Sequence, residues 1–301
     1  MSETSSTMRA SARNRQHGPS ERRSWILTVA ALAIVAYFLF PLWWLVISST
    51  KSNVDLFTSS GLWFGKHFSF VQNLRTVFTY DHGVFLVWLR NTAMYAIVAS
   101  VGSALLSTMA GYSLAKLRYR GRELVFSIIL GAIMVPMTAL AIPTYLLFAK
   151  MGLVNTPWAV IIPSLVSPFG VYLMRVYAAD AVSRSLLESA RVDGAGETRV
   201  FFTIALRLLA PGFVTVLLFQ LVATWNNYFL PLIMLSNQKW YPLTVGLAQW
   251  QATGASAGSG SQVLFSIVIT GSLVSIVPLM VAFLVLQRYW QSGLAAGSVK
   301  Q

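Results

Sequence analysis

The sequence predicts an all-α, polytopic membrane protein with six transmembrane helices, and three observations carry that expectation. Six apolar runs contain no charged residue. Of 301 residues, 56% are hydrophobic and only 10% charged, against about 25% charged in soluble domains, which leaves too little polar surface to coat a particle in water. The runs are also continuous and far longer than the roughly ten alternating residues of a membrane-spanning strand.

Taken in order, the runs are 25–47, 91–114, 124–148, 158–174, 212–235 and 263–286. A helix needs about 20 residues to cross roughly 30 Å of hydrocarbon at 1.5 Å per residue. Only the fourth falls short, and it extends toward Ala179 if Arg175 snorkels its guanidinium to the interface. Pro136, Pro143, Pro163, Pro168 and Pro278 read first as kinks and second as moving parts of a gate. Small residues on the second run (Ala96, Ser100, Ser103, Ser107) and the sixth (Gly271, Ser275) read as contacts between helices.

The connections divide the chain into a polar, basic tail at 1–24, a first helix with its external loop at 25–90, a core at 91–290 and a carboxyl-terminal tail at 291–301. Net charge is +13. Of the lysines and arginines, sixteen fall in the amino-terminal tail, the second and fourth connections and the carboxyl end, and six on the opposite side. The excess puts both termini in the cytoplasm of a cell membrane. Basic residues scattered between apolar runs serve topology and do not point to nucleic acid. The stretch from Gln249 to Ser261 reads as a flexible Gly/Ser/Ala linker.

All nine acidic residues lie outside the six runs. Ion-coupled carriers generally need ionisable groups at membrane depth, so that class is disfavoured, although sodium held by carbonyls and hydroxyls leaves it open. Gly65-Lys66 is followed by His67, with Ser60 where a phosphate loop needs its first glycine, so ATP chemistry has no home here. Three dispersed histidines lack metal spacing, and the absence of cysteine removes disulfides, thiolate metal sites and a thiol nucleophile. Neither catalytic nor cofactor-binding residues are expected. A subunit driven by a separate engine fits, and it should carry a docking surface on its cytoplasmic side.

That surface is sought in the connection at 179–211. Ser183 or Ser185 can cap a short helix running through Val192, and Asp193-Gly194 supplies its terminating turn. A second helix starts near Gly196, with Phe201, Phe202, Ala205, Leu208 and Leu209 on one face and Arg199, Thr203 and Arg207 on the other. Glu188, Asp193 and Glu197 disfavour an anionic lipid surface and favour a protein partner.

Here the chain resembles a known family. Glu188-Ser189-Ala190, Gly194 and Ile204-Ala205-Leu206 look like the EAA loop of binding-protein-dependent ABC transporter permeases, and the run 188–195 resembles the carbohydrate-uptake branch of maltose and glycerol-phosphate type. The resemblance extends from about Asn91 to the end, through Asn155-Thr156, 167–171, Trp225-Asn226-Asn227 and 293–300. It departs at Ser189, where Ala is usual, and at Arg207, where Pro is usual, so the second helix is free to continue. The resemblance implies that Glu188, Ser189, Ala190, Asp193, Gly194, Ile204 and Leu206 form a coupling hairpin. In that reading Glu188 meets a basic residue of the ATPase, Ser189 and Ala190 allow close approach, and Phe201 and Phe202 anchor the hairpin to the bundle. It further implies ABC ATPase subunits that bind ATP and Mg, a second homologous permease and an extracytoplasmic solute-binding protein as partners.

Gln220, Thr224 and Asn227 fall on one face of the fifth run beside Trp225 and Asn226. They either bond helices together or line the solute route. Lining by neutral amides, hydroxyls and indole would suit an uncharged sugar or polyol. Pro231 is placed to kink the segment. Import of another small solute such as an amino acid or peptide, and a membrane scaffold without transport, are the remaining alternatives.

Overall fold

A computed structural model of the chain describes residues 25–256 and 263–298. The basic tail at 1–24 and the linker residues 257–261 lie outside the described residues. Every regular element among the described residues is helical, apart from one isolated bridge between Lys51 and Phe68. The chain separates into a unit ending at Trp44 and a second beginning at Leu45. The first contributes most of helix α1 (Trp25–Ser49), whose residues 25–44 expose apolar side chains along nearly their whole length.

The second unit is organised around α4 (Val84–Lys116), an unbroken helix of 33 residues. It begins seven residues before the expected start at Asn91, after a left-handed turn at Asp81, His82 and Gly83 that joins it to α3 (Phe70–Thr79). Close approach explains several small residues. A Cβ on Gly111 would lie 2.6 Å from the Cβ of Met174 and 2.7 Å from the backbone of Arg175, so α4 packs almost backbone to backbone on α8 (Pro168–Ala181). Gly246, in α14 (Leu243–Ser256), lies so close against the indole of Trp88 that a Cβ there would collide with the ring.

The expected external loop is ordered. Ser52 caps α2 (Asn53–Thr58), and the Asn73 side-chain amide of α3 donates to the carbonyls of Ser49 (3.0 Å) and Lys51 (2.8 Å). Distant hydrogen bonds hold this segment, which is why its sequence alone reads as a loop.

Four helical stretches are long and apolar enough to cross a membrane among the described residues: Trp25–Ser49, Phe70–Lys116, Trp158–Ala181 and Leu264–Tyr289. This is a multi-pass membrane protein. The expectation of six continuous spanning helices needs correction at three of them. The third run is split into α5 (Arg122–Ile133) and α6 (Ala141–Lys150) by an irregular stretch at 134–140 containing Pro136. The fourth is split into α7 (Trp158–Ser164) and α8, where the Ser167 hydroxyl accepts from Gly170 N–H and Pro168 opens the new helix. The fifth ends as α12 (Ala210–Trp225) and restarts as α13 (Phe229–Met234) after Asn226-Asn227-Tyr228.

Arg175 does not simply reach for the interface. It pairs with Glu123 at 2.8 Å and lies 3.6 Å above the Phe126 ring, tying α8 to the start of α5. Gln249 to Ser256, expected to be linker, form the end of α14, because Trp250 is buried against Trp88 and Tyr80. The last helix, α15 (Val263–Ser298), continues into the segment assigned to the carboxyl-terminal tail.

Candidate coupling hairpin and solute groove

The connection at 179–211 folds as its local signals dictate. Ser183 caps α9 (Arg184–Val192), its hydroxyl accepting from Leu186 N–H at 3.3 Å. The helix ends in a paired turn: Gly194 N–H donates to Arg191 O and Ala195 N–H to Ala190 O, both at 3.0 Å, with Gly194 at φ +78°. These bonds satisfy the last carbonyls of α9, and the left-handed residue is one that a side chain would strain. The chain then reverses into α10 (Glu197–Val200), a five-residue π turn at Phe201–Ala205 and α11 (Leu206–Leu208).

Helix therefore continues past Ile204 and through Arg207, breaking only where α12 departs at 78°. The Arg191 Nε–H donates to Glu197 Oε1 at 2.7 Å across the mouth of the hairpin, and this carboxylate pushes the guanidinium pKa up.

The hairpin shares one apolar core with the bundle. Leu187, Ala190, Val200, Phe201, Ala205 and Leu209 pack with Tyr112 of α4, Met174 and Ala178 of α8 and Val216 of α12, and Ile204 and Leu206 lie half-buried on the same cluster. Glu188, Ser189, Asp193 and Gly194 are exposed. Two expectations change. Ala190 faces its own bundle, so Ser189 is the small residue left on the outer face. Phe201 is buried and its ring meets Tyr112 at 5.3 Å, whereas Phe202 is 48% exposed. One residue is about 100° of helix, which turns the second ring away from the core.

Beside α9 lies an open pocket of about 540 Å³, lined by Lys116, Arg118, Arg184 and Arg191 together with Glu188 and Glu197. The basic residues at the end of α4 had a sequence signal only as topology determinants. Their spacing carried no hint that they meet the hairpin.

The breaks in the third and fifth runs face a shared groove of about 740 Å³, lined mainly by apolar side chains such as Val135, Phe148, Ile162 and Phe229, together with Thr138, Thr144, Asn226, Asn227 and Tyr228. A contiguous recess of about 340 Å³ adds Gln220 and Thr224. Irregular backbone at membrane depth is tolerated where it is covered by protein or lines a cavity, and here it lines the groove.

Within this polar cluster, a bond between helices and a place in the lining coincide at Gln220. Gln220 Nε2 donates to Ser164 O at 2.7 Å, bonding α12 to α7 while the residue lines the recess. Asn226 Nδ2 donates back to Val222 O at 2.9 Å, and Asn227 Oδ1 accepts from Leu230 N–H at 3.3 Å, capping α13. Thr224 is buried. Trp225 lies apart from this lining: its indole N–H donates to Ser275 O on α15 at 3.1 Å.

Sequence comparison gives the class of protein to which this helical bundle, with its capped hairpin and its groove at broken helices, belongs. Residues 103–293 match the family described as "Binding-protein-dependent transport system inner membrane component", and the chain belongs to that family. Permeases of this family work with an ATPase and a solute-binding protein and are themselves non-catalytic.

Among individual relatives, the chain is 33% identical to the arabinooligosaccharides transport system permease protein of Halalkalibacterium halodurans, over 92% of this chain and 96% of that one. It is 28% identical to the lactose transport system permease protein of Rhizobium radiobacter, over 91% and 96%. The fold is similar, at a TM-score of 0.75 and 24% identity, to a chain in the crystal structure of a bacterial ABC transporter involved in the import of the acidic polysaccharide alginate, covering 91% of this chain and 99% of that chain.

Proposed function

We propose that this chain is the membrane-spanning permease subunit of an ATP-driven importer for sugars or related polyols, receiving solute from an extracytoplasmic binding protein. Its six crossings are α1, α4, α5 with α6, α7 with α8, α12 with α13, and α15, with both termini in the cytoplasm. A second, homologous permease completes the pathway, and ATP and Mg act on partner ATPases.

The observation that carries the coupling role is the hairpin at 183–209. Its inner face is fused to the bundle core while Glu188, Ser189 and Phe202 remain on the outside. Force applied to such a surface reaches α4, α8 and α12 together. ATPase closure draws the two permeases' hairpins together and opens the groove outward, and hydrolysis resets it inward. Neutral lining groups and the sugar-transporting relatives support the cargo class.

The test is ATPase activity of the assembled complex carrying Glu188→Ala or Gly194→Pro. Proline cannot adopt the positive φ of residue 194. Both variants are expected to insert but to lose solute-stimulated hydrolysis, and full stimulation in both would defeat the coupling role. Competition of labelled uptake by oligosaccharides and not by amino acids checks the cargo.

A further inference from the structure

The ordered segment from Thr50 through α2 and α3 to Thr79 is built inside out. Its interior is polar: Lys51, Asp55 and Asn73 are buried. The Lys51 ammonium donates to Ser60 O, and an Asp55 carboxylate oxygen accepts from His67 N–H at 3.2 Å. Its base is pinned by Ser69 N–H donating to Thr50 O at 2.7 Å. Its exterior is apolar: Phe57 (64%), Phe68 (69%) and Val71 (72%) are exposed, together with Trp63 and Phe64. A loop bathed in water places these groups the other way round.

Its position says what the apolar side meets. Asn53 Oδ1 accepts from Ser266 N–H at 3.3 Å, and the Phe57 ring meets Phe265 edge-on at 5.6 Å, fixing α2 to the first turn of the spanning helix α15. The loop starts where α1 ends, at Ser49. It therefore sits at the level where helices leave the hydrocarbon, the depth that aromatic side chains favour. Charge agrees: between Thr50 and Thr79 the one acidic residue is buried Asp55, while Lys66 and Arg75 are exposed cations.

We propose that Phe57, Phe64, Phe68 and Val71 form an interfacial foot that dips into the anionic headgroup region of the bilayer. Partitioned rings would hold the outer ends of α1, α3 and α15 at a fixed depth while the rest of the bundle moves. This needs only that α15 crosses the bilayer and does not depend on the cargo.

The chain has no cysteine, so with cysteine-free partner subunits single spin labels report cleanly. Phe64→Cys and Phe68→Cys are labelled in the assembled transporter in phosphatidylglycerol-containing nanodiscs, with Lys239→Cys as an exposed control, and complexes with wild-type ATPase activity are measured. Nitroxides at 64 and 68 are expected to collide preferentially with oxygen, and the control with aqueous nickel chelate. Val71→Cys reads the same face should either variant fail to assemble. Nickel-favoured collisions at these positions would overturn the proposal. So would shielding from both reagents that arises only with the binding protein or second permease present, which would make the patch a protein dock.

Discussion

Phe201 and Phe202 are neighbours in sequence with different surroundings. Deleting a fully buried aromatic costs about 3 to 5 kcal/mol. Phe201→Ala is therefore expected to lower the chain's thermal stability sharply, by loss of its packing on Tyr112 and the α8 face. Phe202→Ala is expected to leave the purified chain's melting temperature nearly unchanged while weakening assembly with the ATPase, read by co-purification. Equal melting losses in the two variants would contradict the placement of these rings. Gly194 offers a graded companion: Asn tolerates left-handed backbone better than a β-branched residue, so Gly194→Asn should retain more stimulated hydrolysis than Gly194→Val.

Asp55 makes a prediction about pH. The hydrogen bond from His67 N–H, helped by Ser52, holds its carboxyl below the usual carboxylate range. The folded state therefore binds this proton more weakly than the unfolded chain does. Its stabilising contribution is full above the unfolded carboxylate value of about 3.9 and is lost as pH falls through the depressed folded value. Asp55→Asn should flatten the acidic limb of a melting-temperature profile below about pH 4.

Among elements, the closest helix contacts depend on absent side chains. Gly246→Ala would drive a methyl into the Trp88 indole, itself fully buried, and Gly111→Ala would meet α8 backbone. Overpacking of this kind costs about 1 to 3 kcal/mol. Gly131, in α5, has no atom within 4 Å of its would-be Cβ. Gly131→Ala should be neutral or raise the isolated chain's melting temperature, by up to about 1 kcal/mol of helix propensity.

The elements also mark what could be read from residues alone. The hairpin was legible because its signals are local: Ser183 at the cap, Gly194 at the reversal and Phe201, Ala205 and Leu209 at helical spacing. The breaks at 134–140 and 226–228 were hidden because hydropathy averages across them. Met134, Val135, Met137 and Leu140 are as apolar as the helices they separate, so Pro136 alone marked the site. The loop from 50 to 69 owes its order to Asn73 reaching back to Ser49 and Lys51, a pairing that no periodicity announces.

For the molecule as a whole, the positions of the acidic residues weigh against ion coupling as the energy source. The proposed crossings carry no carboxylate except near their ends, such as Glu123 and Asp180. Uptake by cells should persist in a protonophore while ATP is maintained, and cease when the partner ATPase is inactivated. Collapse of transport by the protonophore at constant ATP would favour ion coupling instead. The cargo class was less visible than the machinery because the groove's polar groups, Gln220 and Asn227 among them, also serve as helix bonds and caps.

The uninterrupted course of α4 has a mechanical consequence. Tyr112 near one end packs with Phe201 of the hairpin, and Trp88 near the other packs with Gly246 and Trp250. Thirty-three residues make a rod of roughly 50 Å. Pivoting such a rod by about 5° at one tip sweeps the opposite tip through about 4 Å. The helix is thus a lever whose leverage comes from having no hinge of its own.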